Sequence, residues 1–436
     1  MSLSPHSALP LPTRPSLERY RKLAKDLLKV SKDAAALRAW VGDWVASLVR
    51  LSQIEITPQL PVSLSEWRDN IASFAQETLR GDRRSLTHAQ FVLARAHGFP
   101  NWPEFAAHLR ALEQAATPQS RFEAAVDALV RGDAAALRQL LREDPALIHA
   151  RSTREHHATL LHYTAANGVE GYRQKTPANV VEIAEVLLQS DAEIDAEADL
   201  YGGGSTTLML AATSGHPERA GVQNALLSLL LDHGAKIDQN GGIDQDARID
   251  HNGRSTVAAC LANGRYKAAQ FLADRGARLG FVEAAALDRV DLMEAAFQSS
   301  QPEAPTAKEI DRAFLLACQY GQLEAATLLL AKGASLTATT RDGQTPLHLA
   351  AMSADALLVQ WLLRRNPLLE AQNTYGGTPI GQALWSAAHS PNPEAYLDVL
   401  ETLAEAGAQL PSNCQTISPT IDAWLAQRGC VQKSAT

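Results

Sequence analysis

Short apolar runs that end near a glycine recur along the second half of the chain. They read LLLDHGAKID (229–238), FLADRGARL (271–279), LLLAKGASL (328–336) and TLAEAGAQL (402–410). Their apolar residues predict helices with one buried face. A helix C-terminus favours a residue with positive φ, so each helix is predicted to end at its glycine: Gly234, Gly276, Gly333 or Gly407.

A second type of apolar run alternates with the first. Its examples are TLLHYTAANG (159–168), TTLMLAATSGH (206–216), STVAACLANG (255–264), TPLHLAA (345–351) and TPIGQAL (378–384). A Thr or Ser opens each run and can cap the first N–H groups of a helix. Pro346 and Pro379 suit the first helical turn. The two types of run together predict a chain of helix pairs.

The helix pairs recur at a regular interval. Their aligned starts lie at Glu123, Thr159, Thr206, Ser255, Leu279, Arg312, Thr345 and Thr378. The last three intervals are each 33 residues, and that period with T-P-L-H-x-A is the ankyrin signature. The chain therefore resembles the ankyrin-repeat family over about residues 122–412. The resemblance implies an all-α ankyrin-repeat solenoid of about eight helix-turn-helix and hairpin-loop units, some degenerate or with insertions.

The resemblance also assigns structural roles within the repeats. The motif residues are Thr159, His162, Thr206, Thr345, Pro346, His348, Thr378 and Pro379. His162 and His348 occupy the same repeat position. We expect each imidazole to hydrogen-bond backbone of the next turn rather than to act in catalysis. Cys260 and Cys318 replace small residues of the first helix and are expected to be packing residues.

Residues 1–118 contain no repeat. The stretches RPSLERYRKLAKDLL and AQFVLARAHGFPNWPEF are similar to an N-terminal helical extension of many bacterial ankyrin-repeat proteins. Thr87 with Gln90 predicts one helix start, and Asn101 with Glu104 predicts the next. Because exposed solenoid ends need covering, we expect a helical cap at 1–118, the repeat array at 119–413, and a closing helix and tail at 414–436.

The charge is unevenly distributed. The formal net charge is −8, but residues 1–118 carry 15 basic and 11 acidic residues, which leaves 25 basic and 37 acidic residues in the remainder. An acidic array favours a partner of basic or mixed charge and argues against nucleic acid, whose phosphates need Lys and Arg. The basic amphipathic helix near residues 17–29 leaves a membrane-surface adaptor open as a further possibility.

Insertions distinguish repeats 2 and 3 from the others. VEGYRQKTPAN (169–179) and PERAGVQN (217–224) separate their helices, and the turns at 195–205 and 238–253 are long. In the ankyrin family the first helices and the loop tips form the concave binding surface, and insertions often mark the binding face. We therefore predict a partner- or ligand-binding region that contains His156, His157, Tyr163, Tyr172, Arg173, Lys175, Tyr201 and His251.

The sequence gives little support for a specific metal-binding, phosphate-binding or catalytic site. Asp244, Asp246 and Asp250 lack the Gly and Glu that a calcium loop of the EF-hand type requires. The glycines of YGGGST (201–206) come without a phosphate-loop lysine. His156 and His157 are adjacent, which does not suit a zinc site, and the cysteines have no CxxC spacing. We expect no catalytic residue, no metal and no cofactor.

The leading functional hypothesis is a scaffold or adaptor without enzymatic activity that presents the concave face of the array to a protein. The alternative is a small-molecule receptor or enzyme with a pocket built from the inserted loops of repeats 2 and 3. The N-terminus has no basic start followed by an apolar core, and no apolar run approaches the length of a membrane span. All four cysteines are expected to be reduced, which favours a cytoplasmic protein.

Overall fold

The computed structural model describes residues 8–52, 64–114, 116–238, 255–298, 304–411 and 413–432. These residues fall into two compact units, which are residues 1–277 and 278–436. Each unit is built from helices. None of the helices in the described part of the chain combines the length and the apolar composition that crossing a bilayer requires.

The first unit opens with five helices. They are α1 (Leu17–Val30), α2 (Ala34–Ser52), α3 (Leu64–Thr78), α4 (Leu86–Ala96) and α5 (Trp102–Glu113), with a 3-10 turn at Gly81–Arg83. Phe99 and Phe105 are fully buried in their core, and Phe91 and Trp102 pack against it half-buried. The buried His97 ring accepts a hydrogen bond from the Tyr20 hydroxyl at Nε2 (2.9 Å) and donates from Nδ1 to the Leu9 carbonyl (3.0 Å).

Four helical repeats follow in the same unit. They comprise α6 (Pro118–Arg131) with α7 (Ala134–Glu143); α8 (Leu160–Tyr163) with α9 (Val180–Leu188); α10 (Thr207–Thr213), α11 (Gly215–Arg219) and α12 (Gln223–Asp232); and α13 (Thr256–Ala262) with α14 (Tyr266–Asp274). Further 3-10 turns lie at Pro145–His149 and Gly171–Arg173. Repeat 1, whose sequence signal is weak, has both of its helices.

The second unit holds four more helix pairs and a closing helix. They are α15 (Phe281–Ala286) with α16 (Val290–Gln298), α17 (Ala307–Gln319) with α18 (Leu323–Ala331), α19 (Pro346–Met352) with α20 (Ala356–Leu363), α21 (Pro379–Ala388) with α22 (Leu397–Glu405), and α23 (Pro419–Gln427). A 3-10 turn lies at Pro393–Tyr396, and the two-residue strands β1 (Asn413–Cys414) and β2 (Val431–Gln432) pair in parallel. Trp424 and Leu425 of α23 are buried in the core of this unit.

The local sequence signals explain most helix ends. Gly234, Gly276, Gly333 and Gly407 follow the second helices with φ between 92° and 97°, in the region that glycine adopts without a steric cost. Asn101 caps α5 by accepting a hydrogen bond from the Glu104 N–H (3.0 Å). The start of α4 differs from the prediction. Ser85, not Thr87, is the N-cap residue, and its hydroxyl accepts a hydrogen bond from the His88 N–H (3.3 Å).

The cysteines divide into two kinds. Cys260 and Cys318 are free and fully buried among the first helices of their repeats. Cys430 is disulfide-bonded, so the expectation of four reduced thiols is wrong at that residue.

Candidate functional site

A threonine and a histidine join one repeat to the loop of the next. In α19 the Thr345 N–H donates a hydrogen bond to His348 Nδ1 (3.2 Å), and His348 Nε2 donates to the Gly377 carbonyl (2.9 Å). Thr159 and His162 repeat this arrangement, with His162 Nε2 3.1 Å from the Ser205 carbonyl oxygen. Because Nδ1 accepts, the proton lies on Nε2, and both imidazoles serve as connectors. We call each arrangement a Thr–His bridge.

Four charged residues meet at the insertion of repeat 2, of which Glu123 is half-buried and the other three are buried. Glu123 comes from α6, Arg154 from the loop after α7, and Glu170 and Arg173 from the insertion. Arg154 Nη1 lies 2.6 Å from Glu123 Oε1, and its Nε lies 2.7 Å from Glu170 Oε1. Arg173 Nη1 lies 2.7 Å from Glu123 Oε2 and 3.4 Å from Glu170 Oε1. We call these four residues the ion cluster.

Burial disfavours the charged forms of the ion-cluster side chains, whereas ion pairing favours them. Burial raises the pKa of the Glu123 carboxyl, but the Arg154 and Arg173 guanidiniums outweigh it and hold that pKa at about 2. The same balance, with Arg154 as the main cation, holds the pKa of Glu170 well below its usual range. Both carboxylates are therefore charged at neutral pH, and so are both guanidiniums. Buried charges persist in proteins when they are paired in this way.

Aromatic residues and a histidine enclose the ion cluster. The Tyr163 hydroxyl donates to Glu170 Oε1 (3.4 Å), and Arg154 Nη2 donates to the Tyr172 hydroxyl (3.5 Å). His156 Nδ1 accepts from the Ala158 N–H (3.1 Å), and its Nε2 lies 3.7 Å from Glu170 Oε2. Burial raises the pKa of the Tyr172 phenol to about 12. The cluster is therefore a structural centre in which most of the polar groups are already engaged.

The ion cluster borders the N-terminal helices. The Arg154 guanidinium lies over the Phe99 ring, 5.6 Å from its centroid. Next to it, Glu155 donates its N–H to the Gly98 carbonyl (3.0 Å) and accepts a bond from Arg95 Nη1 (2.6 Å). His108 Nδ1 lies 2.8 Å from Thr153 Oγ1. The loop at 152–155 therefore ties helices α4 and α5 to repeats 1 and 2.

The structure separates the predicted binding residues into two groups. His156, Tyr163, Tyr172 and Arg173 are buried in or around the ion cluster. His157, Tyr201 and Lys175 reach the surface: the His157 side chain is 49 % exposed and pairs with Asp199, and Tyr201 is 55 % exposed. His251 lies outside the described residues. Only the exposed group can meet a partner without a rearrangement of the fold.

Sequence reasoning missed Glu123, Arg154 and Glu170, which complete the ion cluster. Arg154 and Glu123 are 31 residues apart, and Arg173 reaches Asp127 across 46 residues. Neither separation corresponds to a helix or strand period. The sequence contained no signal for these pairs beyond two opposite charges, Glu170 and Arg173, three residues apart in the insertion.

Residues 314–414 match the family model for ankyrin repeats, in three copies. These residues run from within α17 to β1, where the 33-residue spacing is most regular. This part of the chain consists of ankyrin repeats. No curated protein matches the chain. It is similar to the ankyrin repeat domain of human ASB11 in a crystal structure, with 18 % identity over 66 % of this chain and 99 % of that chain, at a TM-score of 0.32. At that identity and TM-score, the likeness adds nothing to the assignment.

Within the ankyrin array, one loop of the second unit presents an unusually exposed aromatic residue. Tyr375 is 81 % exposed. Its N–H donates to Asn373 Oδ1 (3.0 Å), which also accepts from the Gly377 N–H (2.9 Å). The Thr374 N–H donates to the Asp342 carbonyl of the preceding loop (2.9 Å). These bonds hold the loop tip and leave the phenol in solvent.

A second aromatic residue is exposed in the same repeat. Trp385 on α21 is 58 % exposed, and the His389 ring stacks on it at 4.3 Å between centroids. His389 Nδ1 donates to the Trp385 carbonyl (2.7 Å), which fixes the two rings. Repeat 8 therefore carries two large aromatic side chains that the described fold leaves largely in solvent.

Proposed function

We propose that this ankyrin-repeat protein is a scaffold without enzymatic activity that binds a protein partner through repeat 8. The observation that carries the proposal is the exposure of Tyr375 and Trp385 on backbone that hydrogen bonds hold in place. Tyr and Trp are the residues most often found as energetic anchors of protein interfaces. A site that is already ordered loses less conformational entropy when it binds.

The partner proposed for this surface is a protein of basic or mixed charge. Support comes from the acidic balance of residues 119–436, which also makes nucleic acid an unsuitable partner. Binding should therefore weaken as salt increases, because complementary charges steer the encounter. The exposed residues His157 and Tyr201, with the half-buried Lys175, remain a proposed second contact region in repeats 2 and 3.

As the main function, the alternative of a small-molecule receptor or enzyme built from the insertions of repeats 2 and 3 has weaker support. Glu170 and Arg173, the charged residues of the first insertion that chemistry would use, are paired with other protein groups. No nucleophile beside a base and an orienting group has been recognised among the described residues. A functional pocket of this kind would need such a set within reach of a substrate.

Residues 1–118 are proposed to cap the array, which would extend over 119–413 and end in the closing segment 414–436. The contacts between the 152–155 loop and helices α4 and α5 support the capping role. The likeness of this segment to bacterial extensions supports a bacterial source. A cytoplasmic location is also proposed. The free thiols of Cys260 and Cys318 fit it and the disulfide at Cys430 does not, so cell fractionation is the direct test.

Affinity capture from cell extract tests the binding proposal. The intact protein is compared with Tyr375→Ala/Trp385→Ala, with His157→Ala/Lys175→Ala/Tyr201→Ala, and with a control, Leu357→Ala/Leu368→Ala. The control removes two exposed apolar side chains, 71 % and 55 % exposed, from other elements of the second unit. All variants must unfold at the same temperature as the intact protein.

We expect a protein that is recovered with the intact and control forms and lost with Tyr375→Ala/Trp385→Ala. Loss with the repeat 2–3 variant instead would move the site to the insertions. Equal recovery with all four forms would refute both surfaces.

A further inference from the structure

A cleft of about 550 Å³ lies within the first unit, beside the ion cluster. Its walls come mainly from the proline-rich segment 10–15, one face of α6 and the insertion of repeat 2, with single residues from α2, α5 and the 152–155 loop. Its size is in the range of pockets that hold small molecules. The cleft is distinct from the exposed loop tip and helix of repeat 8.

The charge of this cleft differs from that of the surrounding array. Its lining includes four cations, Arg131, Arg154, Arg173 and Lys175, against the carboxylates of Glu123 and Asp127. With the Glu170 carboxylate behind them, one positive charge remains in excess. The chain from 119 onward carries more acidic than basic residues, so the positive charge of the cleft is opposite in sign to the net charge of this region. The concave shape of the cleft strengthens its positive electrostatic potential.

Two of these cations are available to a ligand. Arg154 and Arg173 are paired within the ion cluster. Arg131 is exposed and Lys175 is half-buried, and neither forms an ion pair or side-chain hydrogen bond with any residue that the structure describes. Arg131 is the last residue of α6, and Lys175 follows the 3-10 turn of the insertion. They therefore approach the cleft from two separate walls.

The Tyr172 hydroxyl adds a donor that the fold does not use. Tyr172 lines the cleft and is only 8 % exposed. Its oxygen accepts a hydrogen bond from Arg154 Nη2 (3.5 Å), and no described residue accepts its proton. A buried donor without an acceptor is costly, so a bound acceptor at this wall would be stabilised.

The walls are held in place before any ligand arrives. Within the insertion, Gln174 Nε2 donates to the Val169 carbonyl (2.7 Å), and the Lys175 N–H donates to the Arg173 carbonyl (2.8 Å). In the proline-rich segment the Thr13 hydroxyl donates to the Leu51 carbonyl (2.9 Å). Walls that are fixed in this way reduce the entropy that binding removes.

We propose that this cleft binds a small molecule with two negative charges, carried by carboxylate or phosphate groups. Arg131 and Lys175 neutralise its charges, and Tyr172 donates a hydrogen bond to one of its anionic oxygens. Charge-assisted hydrogen bonds of this kind are the strong ones in recognition.

Titration calorimetry of the full chain at low ionic strength and pH 7 tests the proposal, with malonate and inorganic pyrophosphate as separate probes. The variants are Arg131→Gln/Lys175→Gln and Tyr172→Phe. The control is Lys267→Gln, which removes an exposed cation of α14 away from the cleft. Thermal unfolding shows whether each variant is folded, and the double variant decides the result if Tyr172→Phe is unstable.

We expect at least one probe to bind the intact protein and the Lys267→Gln control equally. The double variant should weaken that binding at least about tenfold, and Tyr172→Phe about fivefold. Tighter binding of malonate indicates a carboxylate ligand, and tighter binding of pyrophosphate a phosphate ligand. Binding of neither probe, or equal weakening by the Lys267→Gln control, would overturn the proposal. Protein capture through Tyr375 and Trp385 is unaffected by either result.

Discussion

Arg154 Nε and Glu170 Oε1 lie 2.7 Å apart with almost no solvent contact, since the two side chains are 2 % and 0 % exposed. Glu170 belongs to an insertion that a regular ankyrin repeat lacks. The insertion is therefore part of the core of the first unit. Removing one partner of a buried pair leaves an uncompensated charge, which costs far more than losing a surface pair.

We predict that Glu170→Gln destabilises the first unit by about 3 kcal/mol, because Arg154 and Arg173 lose the buried one of their two carboxylate partners. The control is Glu182→Gln, whose partner Arg138 lies 2.8 Å away with about half of both side chains exposed. That change should have little measurable effect. Hydrogen exchange of the α6 and α9 amides reports the opening free energy of this region. Similar effects of the two variants would contradict the structural role of the ion cluster.

Buried histidines should make the protein less stable in mild acid. Burial lowers the pKa of His97 to about 3 and the pKa values of His108 and His162 to about 4. Unfolded imidazoles titrate near 6.5 and take up protons that the folded ones do not. Their contribution to stability is complete above about pH 6.5 and is lost as the pH falls toward 4.

The melting temperature should therefore fall between pH 7.5 and pH 5, with proton uptake on unfolding. Calorimetry in buffers of different ionisation heat measures that uptake, and His108→Gln should reduce it. A melting temperature that stays constant across this range would contradict the prediction. Glu123 does not add to the pH dependence of stability in this range. Its contribution to stability is lost only as the pH falls from about 4.5 through its folded pKa near 2.

The Thr–His bridge of repeat 7 should contribute measurably to the second unit. His348→Ala leaves the half-buried Gly377 carbonyl and the buried Thr345 N–H without their partner, which should cost about 2 kcal/mol. His389→Ala is the control, because His389 is exposed at the end of α21 and spans no repeat boundary. Hydrogen exchange in α19 and in loop 373–377 measures both variants. Protection that is unchanged in His348→Ala would show that the bridge is dispensable.

Two glycines with similar backbone should respond differently to alanine. Gly168 has φ +79°, and an added Cβ would lie 2.7 Å from Leu200 Cδ1, whereas Gly234 has φ +92° with nothing within 4 Å. Gly234→Ala should cost about 1 kcal/mol through its backbone alone. Gly168→Ala adds a steric clash and should cost distinctly more. Equal losses in denaturant titrations would mean that Leu200 moves aside without cost.

The repeated motifs predicted the fold because their signals are local. Thr, Pro and Gly act on the few residues beside them, so the helix pairs of repeats 6 to 8 follow from the sequence. The weaker signals misled only in detail. Ser85 competes with Thr87 as a helix cap because both can accept a backbone N–H, and the backbone of the intact fold selects between them.

The binding residues could be predicted less well because polarity does not reveal burial. Tyr163, Tyr172 and Arg173 have the composition of an interface, but tertiary pairing with Glu123 and Glu170 places them inside. Conversely, Tyr375 and Trp385 lie in regular repeats, and their sequence context does not distinguish them as binding residues. Their exposure depends on which neighbours cover them, and no single repeat contains that information.

The two Thr–His bridges show how the array tolerates unequal repeats. His162 reaches a carbonyl 43 residues ahead and His348 reaches one 29 residues ahead, yet their Nε2–oxygen distances are 3.1 and 2.9 Å. The longer segment between His162 and Ser205 leaves the hydrogen bond between histidine and carbonyl unaltered. Residues can thus be added or removed between the histidine and its acceptor carbonyl while the contact between neighbouring repeats is kept. Such segments are where an ankyrin array can accommodate added chain while neighbouring repeats keep their contact.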